Sequence, residues 1–353
     1  MTHKDFTARP DDGKDILRIL ESSPAKGSIE LLYTRRPDAY ESYMKEPGEA
    51  RVFVSREDDR VVGTCAELIR EVYIGGKVCR AAYLCGLKKD AEYKGHSGLG
   101  PRFIHGLARD DIDFYYCSVI SDNTDARQMF EKGTRMLRSN EICEYTTYIL
   151  TPKNPRRHLK APLSFRRACK SDEDALLNFL NAEGSKYDLF PVIRSLDDFC
   201  GLSGTDFYIL FENDRIVAAA ALWNISEYKQ YVVKKYRGIM KAARLFNPIL
   251  PLLGYIKLPK ENVPMDFPML SFFLSRDDRR EYYEAFLNEI NREIKRSYGM
   301  YVIGLPRTHH ATEIFLRKRC ISFNTKIYSM NFGNARACEK VDGGRIFPEC
   351  AML

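Results

Sequence analysis

Two long stretches of the chain carry the same order of apolar and polar positions. The first opens with Phe6-Thr-Ala-Arg-Pro-Asp-Asp, followed by apolar residues Ile16, Leu17, Ile19 and Leu20. The second opens with Leu163-Ser-Phe-Arg-Arg-Ala-Cys-Lys-Ser-Asp-Glu-Asp, followed by Ala175, Leu176, Leu177, Phe179 and Leu180. Each predicts a short strand, a polar cap with acids in the first turn, and an amphipathic helix. A hairpin follows in each: Val52–Val54 and Val61–Thr64 around Glu57–Arg60, then Tyr208–Leu210 and Ile216–Ala218 around Glu212–Arg215. Further on, a strand at Phe114–Ile120 leads through Ser121–Thr124 to Phe130. Its counterpart at Met300–Gly304 leads through Pro306–His309 to Phe315. The second stretch is about thirty residues longer between hairpin and last unit.

Between the repeats lies Thr151–Pro162, with three prolines, a basic cluster and little apolar content. It is the expected linker. The expected domains are therefore 1–151 and 163–353, joined by 152–162, with a helical insert at about 229–262 and a C-terminal tail. The insert is basic on one side and apolar on the other. Packing on its own domain, a membrane surface and an acidic substrate all suit it, and Pro248 and Pro251 argue against a membrane anchor.

Composition narrows the class. With 353 residues, 44% hydrophobic and 29% charged, the chain suits two soluble globular units. The net charge of +7 is spread along the sequence and does not select a partner. No zinc-finger, RNA-recognition or basic-zipper pattern occurs, so no nucleic-acid partner is expected. The ten cysteines stand singly, without metal spacing, which fits a reducing compartment and no metal. The N-terminus lacks the apolar stretch of a signal peptide, and no apolar run is long enough to span a bilayer. The expectation is a cytoplasmic protein without stable membrane insertion.

The chemistry-bearing stretch is Ala81–Gly100. An apolar strand ends at Leu87, a loop holds Lys94, Gly95, Gly98 and Gly100, and Phe103, Ile104 and Leu107 then sit at helical spacing. Such a loop gathers backbone N–H groups at a helix N-terminus, and glycines let them approach a phosphate. Lys88, Lys89 and Lys94 add charge. As a bare pattern it reads equally as a flexible connection. It is neither a Rossmann fingerprint nor a P-loop, which needs Gly-Lys-Ser/Thr.

The run Gly86-Leu-Lys-Lys-Asp-Ala-Glu-Tyr-Lys-Gly-His-Ser-Gly-Leu-Gly resembles the acetyl-CoA pyrophosphate motif of the GNAT superfamily of N-acetyltransferases. Lys94 stands at the motif's Arg, Ala91 at its Pro, and one extra residue, His96 or Ser97, lies in the loop. Asn123-Thr-Asp-Ala126-Arg-Gln-Met-Phe130-Glu-Lys-Gly133 resembles the family's later element. The likeness covers roughly residues 6–150, and a weaker one covers 163–332. It implies an α/β (α+β) chain of two GNAT-like units, each a mixed, mostly antiparallel sheet flanked by helices. It also implies acetyl-CoA or another acyl-CoA as cosubstrate, and acyl transfer to a primary amine of a small molecule or peptide. The alternative is a non-catalytic acyl-CoA-binding or scaffold protein.

The resemblance implies that Leu87, Lys88, Lys89, Lys94, Gly95, His96, Ser97, Gly98, Leu99, Gly100, Asn123, Ala126 and Phe130 bind the cofactor. Where the family often has a Tyr as acid, Phe130 cannot donate, so Tyr115, Tyr116 or water is left for that role. Glu67 is the first candidate base, and the C-terminal carboxylate at Leu353 a second. In the second unit the corresponding loop reads Ser275-Arg-Asp-Asp-Arg-Arg-Glu, without glycine and with acids. That unit is expected not to bind cofactor and to shape the substrate site or a dimer surface. Cys117 reads as a structural thiol, and His309-His310 as a pair pointing apart rather than a metal site.

Overall fold

A computed structural model describes residues 6–24, 27–95, 107–132, 137–153, 159–253, 255–316, 318–331, 341 and 345–353. In the first half of the chain, α1 (Gly13–Glu21), β1 (Ile29–Thr34) and α2 (Ala39–Met44) precede a meander of β2 (Glu49–Glu57), β3 (Arg60–Ile74) and β4 (Lys77–Lys89). Then come β5 (Phe114–Ile120), α3 (Thr124–Lys132) and β6 (Arg138–Leu150). The second half runs β7 (Leu163–Arg167), α4 (Glu173–Gly184), β8 (Phe207–Glu212), β9 (Arg215–Trp223) and β10 (Gln230–Tyr236). It continues with α5 (Gly238–Leu245), β11 (Met269–Ser275), α6 (Arg280–Ser297), β12 (Tyr301–Pro306), α7 (Thr312–Leu316) and β13 (Ile321–Asn331).

The expected hairpins form: β2 pairs with β3, and β8 with β9, each antiparallel. Their turns place Asp58, Asp59, Asn213 and Asp214 at positive φ, which short polar side chains tolerate best. The two expected sheets are continuous, in the order β2-β3-β4-β5-β13-β6-β12-β11-β9-β8-β7. The halves exchange their last strands. β13, from the second half, pairs with β5, and β6, from the first, pairs with β12. β6 and β13 lie side by side at the centre in an eleven-residue antiparallel ladder.

Residues 230–236, read from the sequence as part of a helical insert, instead form β10, which pairs with β1 in a separate two-stranded sheet. The run Tyr231-Val-Val is β-branched and aromatic, and pairing with β1 satisfies its backbone. The helix of the insert is confined to α5.

Alternation along β3 sorts the first half into two cores. Ala66, Leu68 and Val72 face the side covered by α1 and α2. Cys65 and Ile69 face the opposite side with Tyr115, Phe130 and Tyr328. In the second half, α4 and α6 cover the small residues Ala218–Ala221 of β9 and the aromatics of β11.

Candidate functional site

The parallel ladder between β4 and β5 is short, running from Ala81↔Phe114 to Leu84↔Cys117. Beyond it the strands part. β4 continues along β3 through Thr64↔Lys88 and Gly63↔Lys89, while β5 continues along β13 to Thr325↔Ile120. The cause is local. Gly86 adopts φ +62, and the β3–β4 register slips between Thr64 and Ala66. A bulge of this kind re-aims a strand and leaves part of its backbone outside the ladder. The result is a wedge between β4 and β5, the third and fourth strands of the sheet.

Tyr43 of α2 lies over the bulge. A Cβ on Gly86 would stand 2.3 Å from its hydroxyl. The Tyr43 ring in turn lies 3.8 Å from the Arg35 guanidinium. Arg35 is fully buried, gives Nη2 to Glu46 at 2.5 Å and gives Nη1 to Ser42 at 3.1 Å. Lys229, also buried, stands 3.0 Å from the same Glu46 oxygen. It donates to the Ala351 carbonyl at 2.9 Å and to a backbone oxygen of Leu353 at 3.3 Å. Arg70 of β3 donates to the carbonyl of Met352 at 3.1 Å. Burial pushes the Glu46 carboxyl upward, but Lys229, Arg35 and Arg70 outweigh it and hold the group well below its ordinary value. Burial pushes the Lys229 ammonium down.

This cluster is charged, buried and incompletely paired. Tyr43 Oη, Tyr228 Oη, Glu46 Oε2, Arg35 Nε, and Arg70 Nε and Nη2 have no hydrogen-bond partner among the described residues. Six orphaned polar atoms in one place are unusual in a folded interior, where such groups are nearly always paired.

On the opposite face of the wedge stands Glu67. It is fully buried, accepts from Arg51 Nη1 at 2.8 Å through Oε2, and its Oε1 has no partner among the described residues. Burial raises its carboxyl above the usual range, against the pull of Arg51. Tyr115 shares this face. Its hydroxyl accepts from the Arg109 N–H at 2.8 Å and donates to the Leu107 carbonyl at 3.3 Å, and burial pushes it up to about 12. Tyr116 points to the other face, packed on Tyr83 at 5.1 Å. The structure thus brings Glu67 and Tyr115 together and separates Tyr116 from them.

The residues expected at the cofactor divide further. Lys88 donates to the Leu20 and Ser23 carbonyls at the end of α1. Burial there lowers it to about 8. Lys89 donates to the Gly95 carbonyl at 3.3 Å. Leu87, Lys94 and Gly95 are exposed. Asn123 uses its side chain to accept from the Ala126 N–H at 3.2 Å, capping α3. Phe130 is buried and stacked on Tyr328 at 5.8 Å. His96, Ser97, Gly98, Leu99 and Gly100, expected at the pyrophosphate, lie outside the described residues. The approach to that loop is anchored by Asp90, buried and bonded to Arg18 at 2.5 Å and Arg60 at 2.8 Å.

The second half repeats the wedge in reduced form. β11 and β12 pair only at Met269↔Val302, and Phe272 has φ +54 beside a register slip between Ser271 and Leu274. Here the chain's own tail takes the place. Glu349 Oε2 accepts from the Phe272 N–H at 2.6 Å, residues 350–352 lie against β11 and β12, and a Cβ on Gly304 would meet Cys350 Sγ at 2.5 Å. The tail then runs on to Lys229 and Arg70, so Leu353 ends in the polar cluster of the first half. The acids Asp277 and Asp278 face Lys186, Tyr187 and Tyr283. His309 is buried and His310 exposed. Cys117 is buried and its thiol pushed up by burial.

Sequence reading missed Arg35, Tyr43, Glu46, Arg70, Tyr228 and Lys229. One signal was present. Arg70 falls in the inward phase of β3 with Leu68 and Val72, where a charge is out of place.

No family model matches the sequence, and no curated protein matches it. Solved structures do. Saccharomyces cerevisiae N-myristoyltransferase with bound myristoyl-CoA aligns with a TM-score of 0.54 at 10% identity, over 93% of this chain and 83% of that one. A GCN5-related N-acetyltransferase from Sphaerobacter thermophilus aligns at 0.52 and 12%, over 92% and 94%. A probable N-acyltransferase of unknown function from Enterococcus faecalis aligns at 0.51 and 10%, over 94% and 72%. At these identities the likeness speaks for architecture, and the architecture is that of the GNAT fold.

Proposed function

We propose that this chain is an acyl-CoA-dependent N-acyltransferase, with acetyl-CoA as the first donor to test. The reading rests on one observation above all: the β4–β5 wedge opens at Gly86 under a buried tyrosine hydroxyl with no hydrogen-bond partner among the described residues. Strand backbone released from its ladder suits the amide groups of a pantetheine arm, and the loop 94–100 that follows suits its pyrophosphate. The solved acyltransferases of the same fold, one with bound myristoyl-CoA, support the donor class.

In this reading the amine nitrogen attacks the thioester carbonyl carbon, and the carbon–sulfur bond breaks as the carbon–nitrogen bond forms. Glu67, its carboxyl raised by burial and its Oε1 without a partner among the described residues, takes the proton lost by the ammonium. Tyr43, replacing the hydroxyl that Phe130 lacks, donates to the departing thiolate. The cations Arg35, Arg70 and Lys229 hold Tyr43 and Glu46 in register and lend positive potential where sulfur gains charge. The tail bound at Phe272 leaves the first half as the donor site.

Thiol release from acyl-CoAs of increasing chain length, against a panel of amines and N-terminal peptides, tests the proposal. Turnover should fall about a hundredfold in Tyr43→Phe and in Glu67→Gln. CoA binding without thiol release for any amine would leave an acyl-CoA-binding scaffold instead.

A further inference from the structure

We propose that the lobe spanning residues 237–260 docks the protein on an anionic lipid surface. The proposal goes beyond acyl transfer and does not depend on it. From Gln230 to Lys260 the sequence contains no Asp or Glu. Within this stretch α5 buries none of its eight residues fully. It turns Met240 and Ala243 toward the core and leaves Ile239 at 86% and Leu245 at 81% exposure. Phe246, Ile249, Leu252 and Leu253 continue the exposed apolar surface, Leu252 at 85%.

These side chains are presented by an ordered frame. Residues 246–253 close successive backbone turns, from Phe246 to Ala243, Ile249 to Phe246 and Leu253 to Ile249. Asn247 clamps Leu258 twice, donating to its carbonyl at 3.0 Å and accepting from its N–H at 2.7 Å. Arg319 donates to the Leu253 carbonyl at 2.6 Å from a separate segment. Apolar residues held outward at this density mark an interaction surface.

The rim identifies the partner. Lys235, Lys241, Lys257 and Lys260, in the same stretch of chain as the apolar residues, are exposed. Arg237 and Arg244 are held by Glu30 and Glu261 at the lobe's base. A nucleic acid would use the charges and leave the leucines in water. A bilayer interface with anionic headgroups takes both at once, apolar tips below the headgroups and lysines among them. No described helix is long and apolar enough to cross a membrane, so the attachment is peripheral.

Co-sedimentation of the full chain with phosphatidylcholine vesicles, with and without phosphatidylglycerol, tests this. Binding should require the anionic lipid and weaken as salt shortens the Debye length. The double variant Ile239→Glu/Leu252→Glu should lose binding by at least about a hundredfold. Lys235→Glu/Lys241→Glu should lose about twentyfold or more, about fivefold for each cation removed. Thermal melts should match wild type, because all four side chains are exposed. No binding to anionic vesicles at low salt, or undiminished binding by Ile239→Glu/Leu252→Glu, overturns the proposal. So does concentration-dependent self-association abolished by that variant, which would assign the face to a second copy of the chain.

Discussion

Replacing Gly86 by alanine asks whether the tyrosine over the bulge and the bulge itself form one unit. Alanine at φ +62 costs about 1–2 kcal/mol in backbone conformation alone. Its Cβ would also stand 2.3 Å from the Tyr43 hydroxyl, while the ring carbon behind it is at an ordinary 3.4 Å. The ring has little room to retreat: Arg35 lies 3.8 Å away and is fixed by Glu46. Overpacking of this kind adds about 1–3 kcal/mol. Tyr43→Phe alone should cost little stability, since the hydroxyl has no hydrogen-bond partner among the described residues. In the phenylalanine background only the backbone term remains. Gly86→Ala should therefore be milder there by about 1–3 kcal/mol. Guanidinium unfolding of the four proteins in a double-mutant cycle measures the coupling. Equal cost of Gly86→Ala in both backgrounds would refute the contact.

Lys229→Met should destabilise by about 3–5 kcal/mol, since it removes a cation from buried Glu46, and Glu46→Gln in the same chain should recover part of that loss in the same unfolding assay. Glu349→Leu should cost about 1–3 kcal/mol by stranding the Phe272 N–H, with no loss of stability counting against the tail's anchorage. Burial lowers His309 from 6.5 to about 4, with Asp278 opposing and His310 assisting. A depressed histidine binds its proton in the unfolded chain first. Its contribution is therefore whole above pH 6.5 and is lost as pH falls toward 4, amounting to about 3 kcal/mol. Stability against pH should show that slope in wild type and a flatter one in His309→Phe.

The repeated hairpins and helices were legible because each follows from local periodicity and turn chemistry, as at Glu57–Arg60 and Glu212–Arg215. The exchange of β6 and β13 was not, because alternation fixes which face of a strand is buried and says nothing of which strand lies beside it. Tyr231-Val-Val was misread because lysines at 234 and 235 gave the stretch an amphipathic look, while its pairing partner, β1, lies two hundred residues earlier in the chain. The cofactor-side candidates were proposed from a loop motif. The polar cluster was missed because Arg35, Glu46, Arg70 and Lys229 come from four separate stretches of the chain, and a charged residue is ordinarily read as solvated. Only folding brings them to one bulge.

The claim that one wedge of the two serves the donor is tested most directly by calorimetric titration of the chain with CoA. The account predicts one molecule bound per chain, with affinity falling at least about tenfold in Gly98→Leu/Gly100→Leu. No binding, two molecules per chain, or affinity unchanged in that variant would contradict it.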